Sequence, residues 1–99
     1  DYSPTEMSYL SRAKIYRERK MYAEAVADLN KALEINKQPE QIMFLIERGD
    51  VYYLMQKYAE AIADYEQIVK LDEKQFKELM QKRIVLATEK MRENGSQPK

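Results

Sequence analysis

Apolar residues recur along this chain at intervals of three and four positions, the period of an amphipathic α-helix. The first such series consists of Met7, Leu10, Ala13 and Tyr16, and it resumes with Val26, Leu29 and Leu33. Read to its end, the pattern predicts five helices, at residues 4–18, 22–35, 40–55, 58–71 and 73–93. With 2 Gly and 3 Pro, the sequence has too few turn residues for an all-β sandwich. The predicted class is therefore all-α.

Several residues signal where these helices begin. Ser3 is a suitable N-cap for the first helix, and Pro4 suits its first helical position. Pro39 disfavours helix at the residue before it and begins the third helix. Asp72 is suited to cap the fifth. The break between the first two helices, near residues 19–21, contains neither Gly nor Pro.

A seven-residue segment occurs twice. The sequence YAEAVAD at residues 22–28 returns as YAEAIAD at residues 58–64, and Tyr16 likewise returns 36 residues later as Tyr52. Chance does not account for this agreement, so the chain contains a duplicated unit of two helices. One more predicted helix, the last, follows the second unit and has no partner helix after it. Its single apolar face and charged back are typical of a helix that closes a stack of helical hairpins.

Small residues mark the point where the two helices of each unit are expected to approach closely. We expect these contacts to pair Ala13 with Ala25, and Gly49 with Ala61. Tyr16 and Tyr52 are expected to pack beside them, with their hydroxyls near a polar group.

The two units resemble tetratricopeptide repeats, whose pattern places aromatic, small and Tyr positions at fixed spacings. The first unit supplies Tyr9, Ala13, Tyr16, Ala25 and Leu29, and the second supplies Leu45, Gly49, Tyr52, Ala61 and Tyr65. Arg12 and Arg48 depart from the pattern at a position that is usually Leu. Lys37 and Glu73 stand where Pro is usual. The 36-residue offset exceeds the usual repeat of about 34 residues, which suggests an insertion around residues 37–41.

The resemblance implies an architecture of antiparallel helical hairpins stacked in a right-handed superhelix. The expected organisation is a lead-in at residues 1–5, repeats at 6–39 and 42–75, a capping helix at 76–93 and a disordered tail at 94–99. It also implies a function, namely non-catalytic protein–protein interaction as an adaptor or scaffold. In this family the first helix of each hairpin lines a concave groove that binds peptides or helices.

In the expected register this groove is unusually apolar, which suits a partner's apolar peptide or amphipathic helix. Its residues are expected to be Met7, Leu10, Ser11, Lys14, Arg17, Met43, Ile46, Glu47, Asp50, Tyr53, Leu54, Lys77, Met80 and Gln81. A neighbouring repeat covering part of this surface is the alternative.

One subfamily grips the C-terminal carboxylate of heat-shock chaperones with Lys, Asn and Arg. The corresponding positions here hold Leu10, Lys14, Glu47, Lys77 and Gln81. Only Lys77 matches, and Glu47 would repel a carboxylate. Carboxylate binding of that kind is not expected.

Two arginines one repeat apart, Arg12 and Arg48, are open to two interpretations. They could contact an acidic ligand, or they could pack on the hairpin and reach Asp28, Glu47 or Asp50. We favour the second interpretation. Asp28 and Asp64 are expected to be solvent-facing helix residues rather than metal ligands.

Composition excludes several chemistries. The chain has no His and no Cys, which removes the usual zinc ligands, thiolate nucleophiles and imidazole bases. No motif joins a nucleophile, a base and a stabilising group, so we expect no enzyme activity and no cofactor. The 17 basic and 17 acidic residues balance, which argues against nucleic acid as a partner. RNA binding, known for other helical-hairpin repeats, is therefore not favoured.

No apolar run approaches the roughly 20 residues of a membrane span, and no signal peptide opens the chain. We expect no membrane insertion and favour a cytoplasmic location. Because the first residue is Asp1 rather than Met, we expect either a domain excised from a larger protein or a processed product. The main alternative to a partner-binding module is a structural spacer or a homo-oligomerisation domain.

Overall fold

The computed structural model describes residues 6–35 and 41–94, and five α-helices account for most of them. These helices are α1 (Glu6–Glu18), α2 (Tyr22–Ile35), α3 (Gln41–Leu54), α4 (Tyr58–Leu71) and α5 (Glu73–Asn94). The ends that fall within the described residues lie within one residue of those predicted from the periodicity. The expected caps Ser3, Pro4 and Pro39 lie outside the described residues.

Each helix packs against the helices that precede and follow it in the chain, and α1 also contacts α3. The helices α1 and α2 form one hairpin, α3 and α4 form a second, and α5 packs on α4. The fold is thus an all-α helical repeat, as the duplicated sequence predicts.

The core consists of two clusters of buried side chains on opposite sides of α3. The first cluster contains Leu10, Ala13, Ala25, Leu29, Ala32, Phe44 and Val51. The second contains Leu45, Ala61, Tyr65, Ile68 and Met80. Neighbouring residues of α3, Phe44 and Leu45, belong to different clusters. This helix is therefore buried on two sides, which explains why its sequence is apolar over much of its circumference.

The close approach inside the second hairpin differs from the expected one. A Cβ atom at Gly49 would lie 2.7 Å from Cε1 of Tyr65, closer than such atoms come in proteins. The nearest neighbour of Gly49 is therefore the ring of Tyr65, not the methyl group of Ala61. At the corresponding positions the first hairpin has Ala13 and Leu29, both buried. A larger side chain on α4 is accommodated by a smaller one on α3.

The turns within the two hairpins have the same backbone geometry. Lys20 and Gln56 both adopt a left-handed conformation, with φ of 62° and 66°. In the first turn the amide of Met21 donates to the carbonyl of Tyr16 at 2.8 Å, and the second turn repeats this bond from Lys57 to Tyr52. These are Schellman caps, which usually have Gly at the left-handed position. The missing Gly is why no turn signal appears in the sequence there.

A single residue, Asp72, separates α4 from α5. Its amide donates to the carbonyl of Ile68, and its side-chain oxygen accepts a hydrogen bond from the amide of Gln75 at 3.2 Å. Asp72 thus ends one helix and caps the next, as predicted.

Candidate partner-binding groove

An arginine on the first helix of each hairpin forms two hydrogen bonds with an aspartate on the second helix. Arg12 donates to both carboxylate oxygens of Asp28 at 2.7 Å. Arg48 donates to those of Asp64 at 2.9 and 2.8 Å. Hydrogen bonding to these aspartates raises the pKa of both arginines. The arginines therefore have a structural role, as we favoured.

The partner aspartates are buried rather than solvent-facing, which corrects the prediction made for them. Asp28 and Asp64 are each 5% exposed. A buried carboxylate needs a compensating charge, and the repeated arginine supplies it. Arg12 also lies over the ring of Tyr16 at 5.7 Å, and Arg48 over Tyr52 at the same distance. This packing explains how arginine occupies a position at which leucine was expected.

A groove of about 440 Å³ lies on the side of the molecule formed by α1, α3 and α5. Its lining consists of Arg17, Asp50, Tyr53, Leu54, Tyr65, Leu79, Lys82, Arg83 and Leu86. We call this surface the α1–α3–α5 groove. Tyr65 is its one contribution from α4.

The apolar part of the groove consists of side chains that are far from buried. Leu54 and Leu79 are each 46% exposed, and Leu86 is 53% exposed. Tyr53 lies beside them, with its ring packed edge-to-face on Tyr58 at 5.3 Å between centroids. This contact restricts Tyr53 while leaving part of its ring in the groove.

A hydrogen-bond network around Asp50 joins α3, α4 and α5 at the groove. The hydroxyl of Tyr65 donates to Asp50 at 2.6 Å, and Arg83 donates to the same carboxylate at 3.1 and 3.3 Å. Burial, followed by the hydrogen bond to Asp50, raises the pKa of Tyr65. Hydrogen bonding to Asp50 likewise raises the pKa of Arg83. The network holds α5 against the second hairpin.

A second ion pair joins α1 to α3 across the same side of the molecule. Arg17 donates to Glu47 at 2.5 Å, and the Glu47 side chain is largely buried. Glu47 and Asp50 are thus both neutralised by arginines from other helices. Lys82, in contrast, has no ion pair or hydrogen bond within the part of the chain that the structure describes.

Two family models, each described as a tetratricopeptide repeat, match the sequence at residues 8–39 and 43–75. Together the matches cover about two thirds of the chain, and each coincides with one hairpin. The chain belongs to the tetratricopeptide repeat family. Comparison with curated proteins and with solved structures gave no match.

Tetratricopeptide repeats generally mediate protein–protein interactions and are typically non-catalytic. The helix α5 follows the second repeat and completes the groove. None of the helices in the described part of the chain is both long and apolar enough to span a membrane.

Four of the residues predicted to lie in the groove of these repeats line it in the structure, namely Arg17, Asp50, Tyr53 and Leu54. Four others lie on the surface of α1 and α3 but outside the lining: Met7, Ser11, Lys14 and Met43. Ile46 is half-buried and packs against the second core cluster. Glu47 is buried beneath its ion pair with Arg17.

Four further residues predicted to line the groove lie outside its lining in the structure. Leu10 is 4% exposed and belongs to the first core cluster, while Met80 is fully buried in the second. Lys77 is exposed on another side of α5, where it pairs with Glu73 at 3.7 Å. Gln81 is also exposed outside the groove. The expected register on α5 was therefore wrong.

The sequence did contain a signal for the correct register. Advancing by 36 residues, the offset between the two repeats, maps four residues of α3 onto four of α5. In this way Met43, Ile46, Glu47 and Asp50 correspond to Leu79, Lys82, Arg83 and Leu86, which all line the groove. The same offset maps buried Phe44 and Val51 onto buried Met80 and Ala87. The usual repeat length of about 34 residues places each predicted groove residue of α5 two positions too early.

Proposed function

We propose that this chain is an adaptor or scaffold module that binds a partner protein in the α1–α3–α5 groove. The occupant would be an apolar peptide segment or an amphipathic helix. The observation that supports this proposal is the cluster of Leu54, Leu79 and Leu86, each about half exposed within one concave surface. Exposed apolar groups gathered in a concavity are typical of binding sites, whereas single exposed leucines are common on any protein.

The dimensions of the groove favour a short segment over a flat protein surface. Its volume of about 440 Å³ is within the range of sites that enclose a few side chains. Leu79 and Leu86 are seven residues apart on α5, so they lie on one side of the helix about 10 Å apart. An apolar stripe on a partner helix repeats at the same interval.

The proposal can be tested with two neighbouring residues of α5. A peptide selected from a random helical library against the wild-type domain would be titrated by calorimetry with the Leu86→Asp and Val85→Asp variants. Val85 is 45% exposed but lies outside the groove, so it is a matched control. We expect Leu86→Asp to weaken binding at least tenfold, since a charge would enter the apolar contact, and Val85→Asp to have little effect.

Thermal melting of both variants would verify that each is folded. Equal losses of affinity in the two variants would show that the peptide binds elsewhere, and the proposal would be wrong.

A second copy of the chain is the other occupant to test. Sedimentation equilibrium at micromolar concentration should show a monomer, whereas a dimer that Leu86→Asp dissociates would indicate self-association through the groove.

A further inference from the structure

We infer that the segment bound in the α1–α3–α5 groove is an acidic amphipathic helix, with carboxylates placed between its apolar residues. This inference rests on the proposed function and specifies the chemistry of the partner. It follows from the cations of the groove. Arg17 and Arg83 are paired with acids of the domain, whereas Lys82 has no ion pair among the described residues.

Two carboxylates at the groove, those of Asp50 and Glu47, are already bound within the domain. Asp50 accepts hydrogen bonds from Tyr65 and from two nitrogens of Arg83. Glu47 is buried and accepts from Arg17. A lysine or arginine of a partner would have to displace an internal arginine to reach either acid, and would leave that arginine without its partner. The groove is therefore poorly suited to a basic segment.

The cation at the centre of the apolar contact is different. Lys82 is exposed and has no ion pair or hydrogen bond among the described residues, whereas Arg17 and Arg83 are occupied by Glu47 and Asp50. In the sequence Lys82 falls three residues after Leu79 and four before Leu86, which puts all three side chains on one side of α5. The groove thus offers an apolar, basic, apolar order along two helical turns.

A complementary helix has two apolar residues seven positions apart and an acidic residue between them. Its apolar residues would contact Leu79 and Leu86, and its carboxylate would reach the ammonium group of Lys82. On α1, Lys14 occupies the repeat position that Asp50 occupies on α3. Lys14 is exposed and has no ion pair with the described residues, but it lies outside the lining of the groove, which leaves Lys82 as the cation that the partner would meet there. Charge complementarity of this kind determines which partner is accepted more than it determines total affinity.

The test uses two synthetic peptides that share one stripe of leucines at helical spacing. One peptide has Glu at the flanking and intervening positions, and the other has Lys at the same positions. Fluorescence anisotropy would measure their binding to the wild-type domain at low salt. We expect the acidic peptide to bind at least tenfold more tightly. Its advantage should decrease at about 0.5 M salt, because salt screens exposed charges.

Three variants locate the source of the preference. Lys82→Glu should weaken binding of the acidic peptide by about fivefold or more, because attraction is replaced by repulsion. Lys82→Arg should retain the preference. Lys31→Glu makes the same change of charge on α2, outside the groove, and should leave both affinities unaltered.

The possible failures are distinguishable. If both peptides bind equally, the inferred acidic preference is wrong, although the groove still binds apolar helices. If neither binds, the proposed function fails together with the inference. Equal effects of Lys82→Glu and Lys31→Glu would mean that net charge, not the groove, selects the peptide, and would also overturn the inference.

Discussion

The two hairpins share a repeated sequence but are packed around different side chains. The first has Ala13 and Leu29 where the second has Gly49 and Tyr65, and all four residues are buried. Tyr65 fits only because Gly49 has no side chain, since a Cβ there would lie 2.7 Å from the ring. The exchange keeps the helices close together while it replaces an aliphatic side chain with one that carries a hydroxyl.

That hydroxyl is what distinguishes the second hairpin. It binds Asp50, which also binds Arg83 of α5. In the first hairpin the position of Asp50 is held by Lys14, which is exposed. Only the second hairpin therefore has this connection to the following helix and to the groove. A repeat can thus keep its overall packing while a few exchanged residues connect it to the next helix.

The largest expected effect follows from removing the helix that the second hairpin holds. Truncation after Glu73 would remove Met80, which is fully buried, and would uncover Tyr65. We expect the product to aggregate or to lose cooperative unfolding, because a terminal hairpin without its cap exposes an apolar face. Circular dichroism melts and sedimentation would test this. A soluble fragment with a cooperative transition would show that α5 is dispensable for the fold.

The repeated ion pair should not contribute equally in the two hairpins. Arg48→Met would keep much of the packing of the stem but leave buried Asp64 without its partner, at a cost of about 2–3 kcal/mol. Arg48 also donates to Asn30 at 2.7 Å and so joins the hairpins. The side chain of Arg12 is 52% exposed, against 23% for Arg48.

Because water can replace an exposed partner more readily, Arg12→Met should destabilise the domain less than Arg48→Met. Urea unfolding of the two variants would compare their free energies of unfolding. If Arg12→Met lowered the free energy of unfolding by as much as Arg48→Met or more, the greater burial of Arg48 would not explain the contribution of its ion pair.

The exchange between hairpins can be tested by a double-mutant cycle. Gly49→Ala should destabilise the wild-type domain by about 1–2 kcal/mol, since overpacking against Tyr65 outweighs the better helix propensity of alanine. In a Tyr65→Leu background the same change should be neutral or stabilising, because the double mutant then has the alanine and leucine found in the first hairpin. Urea unfolding of the four proteins gives the coupling energy. No coupling would mean that the two positions adapt independently.

The smallest effects are expected where the hairpins are most alike. Lys20→Gly and Gln56→Gly should each stabilise the domain by about 0.5–1 kcal/mol, because both residues have positive φ. The greater freedom of Gly in the unfolded chain limits the gain. Thermal melts would measure both. Destabilisation at either turn would show that the replaced side chain makes a contact that outweighs the backbone strain.

Much of the fold could be predicted from the sequence, because helical periodicity is a local property that every turn of a helix repeats. The seven-residue segment YAEAVAD and its near copy YAEAIAD also establish the duplication without any knowledge of the structure. The burial of Asp28 and Asp64 could not be predicted in this way. Their environment depends on arginines 16 residues away, and a carboxylate on an amphipathic helix usually faces solvent.

Of the residues predicted on α3, Asp50, Tyr53 and Leu54 line the groove, whereas none of those predicted on α5 does. The difference arises because the register decides which side of a helix is buried. A shift of two residues rotates the predicted face by about 200°. It therefore exchanged buried Met80 for exposed Lys82. The hydroxyl of Tyr65 likewise reaches Asp50 only through the space left by Gly49, a relation that no single-helix pattern contains.

The helix α5 continues the 36-residue register, which buries Met80 and presents its neighbour Leu79 to the groove. Urea unfolding of Met80→Ala and Leu79→Ala would test this register, since both substitutions truncate a large apolar side chain on the same helical turn. We expect a loss of about 2–4 kcal/mol in the free energy of unfolding for Met80→Ala and less than about 1 kcal/mol for Leu79→Ala. If Leu79→Ala proved the more damaging of the two, the register of α5 and the groove built on it would be wrong.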